Sequence, residues 1–314
     1  MLMSALSLAA LLLAITVGSV SVSLTDVWSV LVGREQGLSR ILLLELRLPR
    51  ALAAFATGGL LAVAGALMQV LLRNPLADPY VLGLSGGAGV GALSAMLLGL
   101  GAAAVSGFAF LGALATVVIV FGLAHGTGSW TPTRLLLTGV VVAAGWGAMI
   151  TFMLALSPSE NIPGMLYWLM GDLSHAGSAW PGFAILILVC LLALPLGRSL
   201  NVLARGELPA AALGVSVKPL TWGVYVCASL VTTVAVTTAG TIGFVGLVVP
   251  HMLRLVLGND QRLILPASAL GGGILLTLAD TVARTVIAPE QLPVGAITAM
   301  LGVPTFLYLL HRSR

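Results

Sequence analysis

Chemistry at a fixed site needs ionisable or nucleophilic side chains at defined spacing, and this chain is poor in them. Its four histidines, His125, His175, His251 and His311, are far apart, and neither HExxH nor GxSxG occurs. Each reads as a loop or interface residue rather than a metal ligand. Cys190 and Cys227 sit inside apolar runs, where they read as small hydrophobes and not as halves of a disulfide framework. No GxxxxGK[ST] loop is present, and the sole lysine, Lys218, follows Val217, so nothing cradles a nucleotide phosphate. No catalytic residue, no metal ligand and no bound cofactor are therefore expected. The polar groups that remain interesting are two sets: Arg34, Arg40, Arg47, Arg50 and Arg284, and the short segment ELPAAALG at 207–214.

What those groups could do depends on the elements that carry them. Of 314 residues, 59% are hydrophobic and 8% charged, with a mean hydropathy of +1.12, far from the ~25% charged of soluble domains. Runs such as Ala51–Leu72 are apolar all round, which excludes the alternating pattern of a membrane β-barrel. The class is an all-α integral membrane protein in a single domain, 1–314. Apolar runs long enough to cross a bilayer are expected near 3–23, 48–72, 78–99, 105–123, 133–155, 180–197, 220–238, 240–257, 263–283 and 292–310, about ten transmembrane helices. The first is expected to be a retained span, because no basic stretch precedes it. Near Thr237–Gly240 the uncharged VTTVAVTTAGTIGFVGLVV leaves two readings: two short helices joined at a glycine turn, or one long broken helix. Small residues at i, i+4 spacing, as in Gly58, Ala62 and Ala66 or Gly83, Gly87 and Gly91, predict close helix packing.

With both termini cytoplasmic, nine basic residues fall inside and five outside, the split that the positive-inside rule favours. Acidic residues divide three inside and seven outside. No basic patch is present to hold nucleic acid. Every charged side chain falls at or near a span end, which argues against a proton relay at depth. The five outer arginines run against the bias. Either they are interfacial anchors that pair with Glu35, Glu45 or Asp280, or they face something outside the membrane; Pro49 is expected to direct Arg47 and Arg50 outward. On the inner side, 198–219 is the longest connection and the only one with helical composition. Glu207 reads as a helix start and Gly214 as a C-cap, so the segment reads as a docking element or, more plainly, as an amphipathic connector.

Six blocks then give a resemblance. RLPR at 47–50, GALMQVLLRNPLADPYVLGLSGGAGVGA from Gly65, ARGELPAAALGV at 204–215, GTIGFVGLVVPHMLRL at 240–255, LADTVAR at 278–284 and LPVGAITAMLGVPTF at 292–306 together resemble the iron-chelate and vitamin B12 family of ABC-importer permeases. The resemblance implies a type II importer permease bundle of ten spans in the bacterial inner membrane, both termini cytoplasmic. It further implies a homodimer in membrane lipid, an ATP-binding-cassette ATPase homodimer below that carries the ATP and Mg, and a periplasmic substrate-binding protein above. By the same resemblance, Arg47, Arg50 and Arg284 dock the binding protein. The cytoplasmic gate falls on Asn74 and Leu76 and on Thr131 and Thr133, where Pro132 departs from the family's TSRLLL-like block. Coupling to the ATPase falls on Arg205, Gly206, Glu207, Leu213 and Gly214.

The function implied is passage of a metal chelate (haem, ferric siderophore or cobalamin) by alternating access, through a cavity expected to be apolar and lined by glycine and alanine. A secondary carrier or channel for a small organic solute is the alternative from another class, since small-residue packing also serves a rocking bundle; a buried carboxylate would favour it. An intramembrane enzyme would need a constellation that the chain does not have. The blocks do not distinguish the cargoes, and an iron complex is favoured only because iron predominates in the family.

Overall fold

In the computed structural model, residues 1–18, 22–34, 37–125, 131–174 and 176–312 are described; Glu35, His175 and Arg314 lie outside them. The chain runs α1 (Leu2–Thr16), α2 (Leu24–Leu31), α3 (Leu38–Ile41), a π-helical segment Leu42–Arg47, α4 (Leu48–Leu71), a 3₁₀ turn Pro79–Leu82, α5 (Leu84–Leu97), α6 (Ala102–His125) and α7 (Pro132–Leu156). It continues through α8 (Ile162–Met170), α9 (Trp180–Leu203), α10 (Glu207–Ala212), α11 (Val217–Ala239), α12 (Val245–Leu257), α13 (Gln261–Thr285) and α14 (Val294–Arg312). No strand occurs among the described residues. Six helices are long and apolar enough to cross a membrane, and four shorter apolar ones are α1, α5, α12 and the greater part of α14. Together they correspond one to one with the ten expected spans.

α4 is the axis of the bundle. Of its apolar window 94% is buried, against 6% for α7, and α13, α11, α12 and α9 surround it. Because lipid is as apolar as leucine, helices in a membrane hold together by close van der Waals packing. Here backbone meets backbone. A methyl group added at Gly58 would overlap the Gly272 carbonyl of α13, and one at Gly65 would overlap the Gly246 carbonyl of α12. Gly87 and Gly91 pack in the same way on α6, at Gly112 and Phe108. Gly83 departs from the expected stripe: at φ 76° it is the left-handed junction between the 3₁₀ turn and α5.

Between α11 and α12 the chain breaks at GTIGF, so the two-helix reading holds. Gly240 (φ 67°) and Phe244 (φ 69°) both take the left-handed region, and the break lies inside protein, with Ile242 and Val245 at most 1% exposed. Irregular backbone is tolerated at this depth only when its polar groups find partners. Ile242 N donates to the Tyr80 hydroxyl at 3.2 Å, the Thr241 hydroxyl donates to Leu169 O, and Ala239 O accepts from Asp172 N at 2.9 Å.

Candidate functional site

At the end of the bundle where α1 and α13 finish, α1, the Leu42–Arg47 segment, α4 and α13 bring Arg47, Arg50 and Arg284 around one cavity of about 330 Å³, whose lining also includes Glu45, Pro49 and Gln291. A single carboxylate organises them. Asp280, 1% exposed, accepts Arg50 Nε at 3.1 Å and Arg50 Nη2 at 2.8 Å, the forked geometry that makes arginine pairs specific. Arg50 Nη1 donates to Gln291 Oε1 at 2.6 Å. One helical turn beyond Asp280, Arg284 Nε stands 3.2 Å from Asp280 Oδ2, and Arg284 Nη2 donates to Ala14 O at 2.9 Å. Arg47 Nη1 donates to Ile15 O at 2.9 Å and to Thr16 O at 3.0 Å. Two guanidiniums thus satisfy the last carbonyls of α1, where the helix dipole is negative.

This geometry changes two expectations. Pro49 does begin a helix, but Arg47 is directed inward, at 6% exposure, rather than to the outer face. A carboxylate is buried in α13 after all. It lies near the C-terminal end of α13 and is held by two arginines, so it is a structural ion pair and not the open relay of an ion-coupled carrier. Of the two anchor partners among the described residues, Asp280 is engaged, while Glu45 lines the cavity; Glu35 lies outside the described residues.

A second cavity at the same end, of about 610 Å³, lies between α5, α6, α8 and the end of α11. Its wall carries Ser106, Asp172, Ser174, Thr237, Thr238 and Glu290 beside Tyr167 and Trp168. That is more polar than the glycine- and alanine-lined cavity expected. The sequence signal was present in the hydroxyls of VTTVAVTT, but only the fold turns them to one side together with Asp172 and Glu290.

At the opposite end of the bundle, between α9 and α11, α10 is a six-residue helix. It begins after Gly206 (φ 128°) and closes with Val215 N donating to Ala210 O and Gly214 N to Ala211 O, both at 3.0 Å, a Schellman end with Gly214 (φ 78°) just past the cap. Ala210 is fully buried against the bundle, whereas Leu208 and Leu213 are 85% and 70% exposed. Arg205 lines a neighbouring cavity with Arg73, Arg254 and Asp260. There Asp260 caps α13, and the Arg262 guanidinium, then the Asn201 amide, hold its carboxyl well below the usual carboxylate range.

Of the four residues at which a gate is expected, Thr131 caps α7 by accepting from Arg134 N at 3.3 Å, and Thr133 lies on the first turn. Both line a cavity of about 360 Å³ with Gly206, Glu207, Leu208 and Pro209, so the α7 start and the coupling segment are brought together. Asn74 instead shapes its own loop, its Oδ1 accepting from Leu76 N at 2.9 Å, and Leu76 is exposed. Arg73, which the sequence reading passed over, also lines that cavity. Cys190 and Cys227 are free, half-buried thiols.

Residues 6–312 match the FecCD transport family. The chain is 41% identical over 281 residues to the hemin transport system permease of Yersinia pestis, covering 86% of this chain and 83% of that protein. To the Fe(3+) dicitrate transport system permease of Escherichia coli it is 41% identical over 278 residues, 87% and 86% of the two chains. To the cobalamin import system permease of Halobacterium salinarum it is 43% identical over 278 residues, 87% and 74%. A solved inward-facing structure of a metal-chelate type ABC transporter superposes with a TM-score of 0.86 at 27% identity, over 99% of this chain and 97% of that one.

Proposed function

This chain belongs to the FecCD transport family, and on that premise we propose that it is the membrane-spanning permease of a type II ABC importer that passes a metal chelate inward by alternating access. The observation that carries the reading is α10. A cytoplasmic helix with a buried alanine on one side and Leu208 and Leu213 exposed on the other leaves apolar area that water disfavours and a partner can cover. The chain has no phosphate loop, so a separate ATPase pair supplies hydrolysis and pushes on this helix. A second copy of the permease completes the path, and α7, whose apolar window is only 6% buried, has area free for lipid or for that copy.

The membrane is the inner one of a bacterium, with both termini on the ATPase side. Above, a periplasmic binding protein docks at the Arg47, Arg50 and Arg284 cluster, where three guanidiniums stand against the carboxylates of Asp280 and Glu45 and leave a net positive charge for acidic side chains. Haem, a ferric siderophore and cobalamin are the cargo classes, supported by what the named relatives carry, and an iron complex is favoured among them. Coexpression with the ATPase and binding protein of its own transport system tests the reading. A detergent-stable complex with two permease and two ATPase copies is expected, with the binding protein joining from the other face. A chain that purifies without an ATPase and moves solute by itself would contradict it.

A further inference from the structure

α4 and α10 end in the same Schellman geometry with different residues at the strained position. At the end of α4, Asn74 N donates to Gln69 O at 3.2 Å and Arg73 N to Val70 O at 3.3 Å, which puts Arg73 just past the cap with φ 51°. At the end of α10 the equivalent place is Gly214. Glycine is the ordinary occupant because a Cβ there crowds the following carbonyl. An arginine accepts that strain, so its side chain is what the position gains.

The side chain crosses to the coupling segment. Arg73 Nη2 stands 3.6 Å from Glu207 Oε1, with both side chains partly exposed at 38% and 46%. Of the neighbouring charges, Arg254 donates to Gln69 Oε1, and Asp260 holds Arg262 at 2.7 Å. Glu207 is the first residue of α10, Arg73 opens the loop that carries Asn74 and Leu76, and Thr131 and Thr133 share their cavity. We infer that Arg73 is a positioning residue whose ion pair with Glu207 ties the end of α4 and its gate loop to α10, so that a displacement of α10 reaches the gate. The inference rests on the reading of α10 as the element the ATPase moves. An exposed pair is weak, which suits a link that must break and re-form in every cycle.

The test uses the assembled permease–ATPase complex with its binding protein in proteoliposomes, reading ATP hydrolysis and uptake together. The probe is whichever of haem, a ferric hydroxamate siderophore and cyanocobalamin the wild type carries. Arg73→Gly keeps the left-handed backbone and removes only the link, so its thermal midpoint should equal or exceed that of the wild type. Its uptake per ATP hydrolysed should fall about two- to fivefold, the range an exposed pair can supply. Glu207→Arg should lose a similar amount, and the reversed pair Arg73→Glu with Glu207→Arg should recover it. Wild-type uptake per ATP in Arg73→Gly, or a reversed pair as deficient as either single variant, would overturn the inference and leave the importer reading standing. A wild-type complex without ATP-dependent uptake would overturn the importer reading, and the link with it.

Discussion

Asp280 carries one negative charge among three arginines where α1, α4 and α13 meet, and removing one partner of a buried charge set leaves the rest without compensation. Asp280→Asn should therefore cost about 3 kcal/mol, read as a lower unfolding midpoint of the purified permease in detergent, whereas Arg34→Gln at an exposed position should be nearly silent. An unchanged midpoint for Asp280→Asn would show that the network holds nothing. The same residues set the docking prediction. Because reversing all three arginines would destroy the network itself, the smaller change is Arg50→Gln, at a side chain still 13% exposed; it too removes a partner of Asp280, so affinity is read on protein whose unfolding midpoint shows it folded. Binding-protein affinity should drop about tenfold, the lower end for close interfacial charge pairs, with a shallower dependence on salt. Equal affinity and equal salt dependence would leave the arginines as interfacial anchors. Residue types were legible here and their directions were not: RLPR displays two arginines and a proline, but nothing in those four letters says that Arg47 turns back to the carbonyls of α1, thirty residues upstream.

At the scale of the element, α10 makes the sharpest statement. Leu208 and Leu213 project from a helix whose other side rests on the bundle, and burying a leucine is worth about 1.5–3 kcal/mol. Leu208→Asp with Leu213→Asp should therefore weaken ATPase capture by more than about tenfold while the permease still inserts and purifies; full capture would remove α10 from the interface. Glu207→Pro is a milder change, since proline is accommodated at the first position of a helix, and there it deletes the Arg73 pair more than the helix. The periodicity and caps of ELPAAALG were legible because they are local. The break between α11 and α12 was legible only as an ambiguity, and it resolves through distant partners, Tyr80 and Leu169, that satisfy the exposed backbone. Gly65 and Gly246 show the same limit: each looked like one more small residue, and only the fold makes them a backbone contact in which Gly65→Val should cost about 1–3 kcal/mol by overpacking, visible in the same unfolding assay.

At the scale of the whole molecule, hydropathy marks where the ten apolar helices fall because a bilayer sets the length scale of a span, although α1, α5 and α12 are shorter than the six helices long enough to cross by themselves. The arrangement of those spans is set by pairwise contacts that no window average contains, such as the burial of α4 and the openness of α7. Charge falls out along the same axis. One end gathers Arg73, Arg205, Arg254 and Asp260 around one cavity, and the other pairs its arginines with Asp280 and sets Asp172 and Glu290 in the wall of a second cavity. An ATP-driven permease needs both sides, one to receive the stroke and one to receive the cargo, and it needs no charge relay between them. The central claim is tested most directly by uptake into proteoliposomes that contain the permease, its ATPase and its binding protein, with ATP supplied on the ATPase side and a protonophore present. The account predicts chelate accumulation that survives the protonophore and disappears when the ATPase is omitted or made unable to hydrolyse ATP. Accumulation that proceeds without the ATPase and collapses with the proton gradient would contradict it.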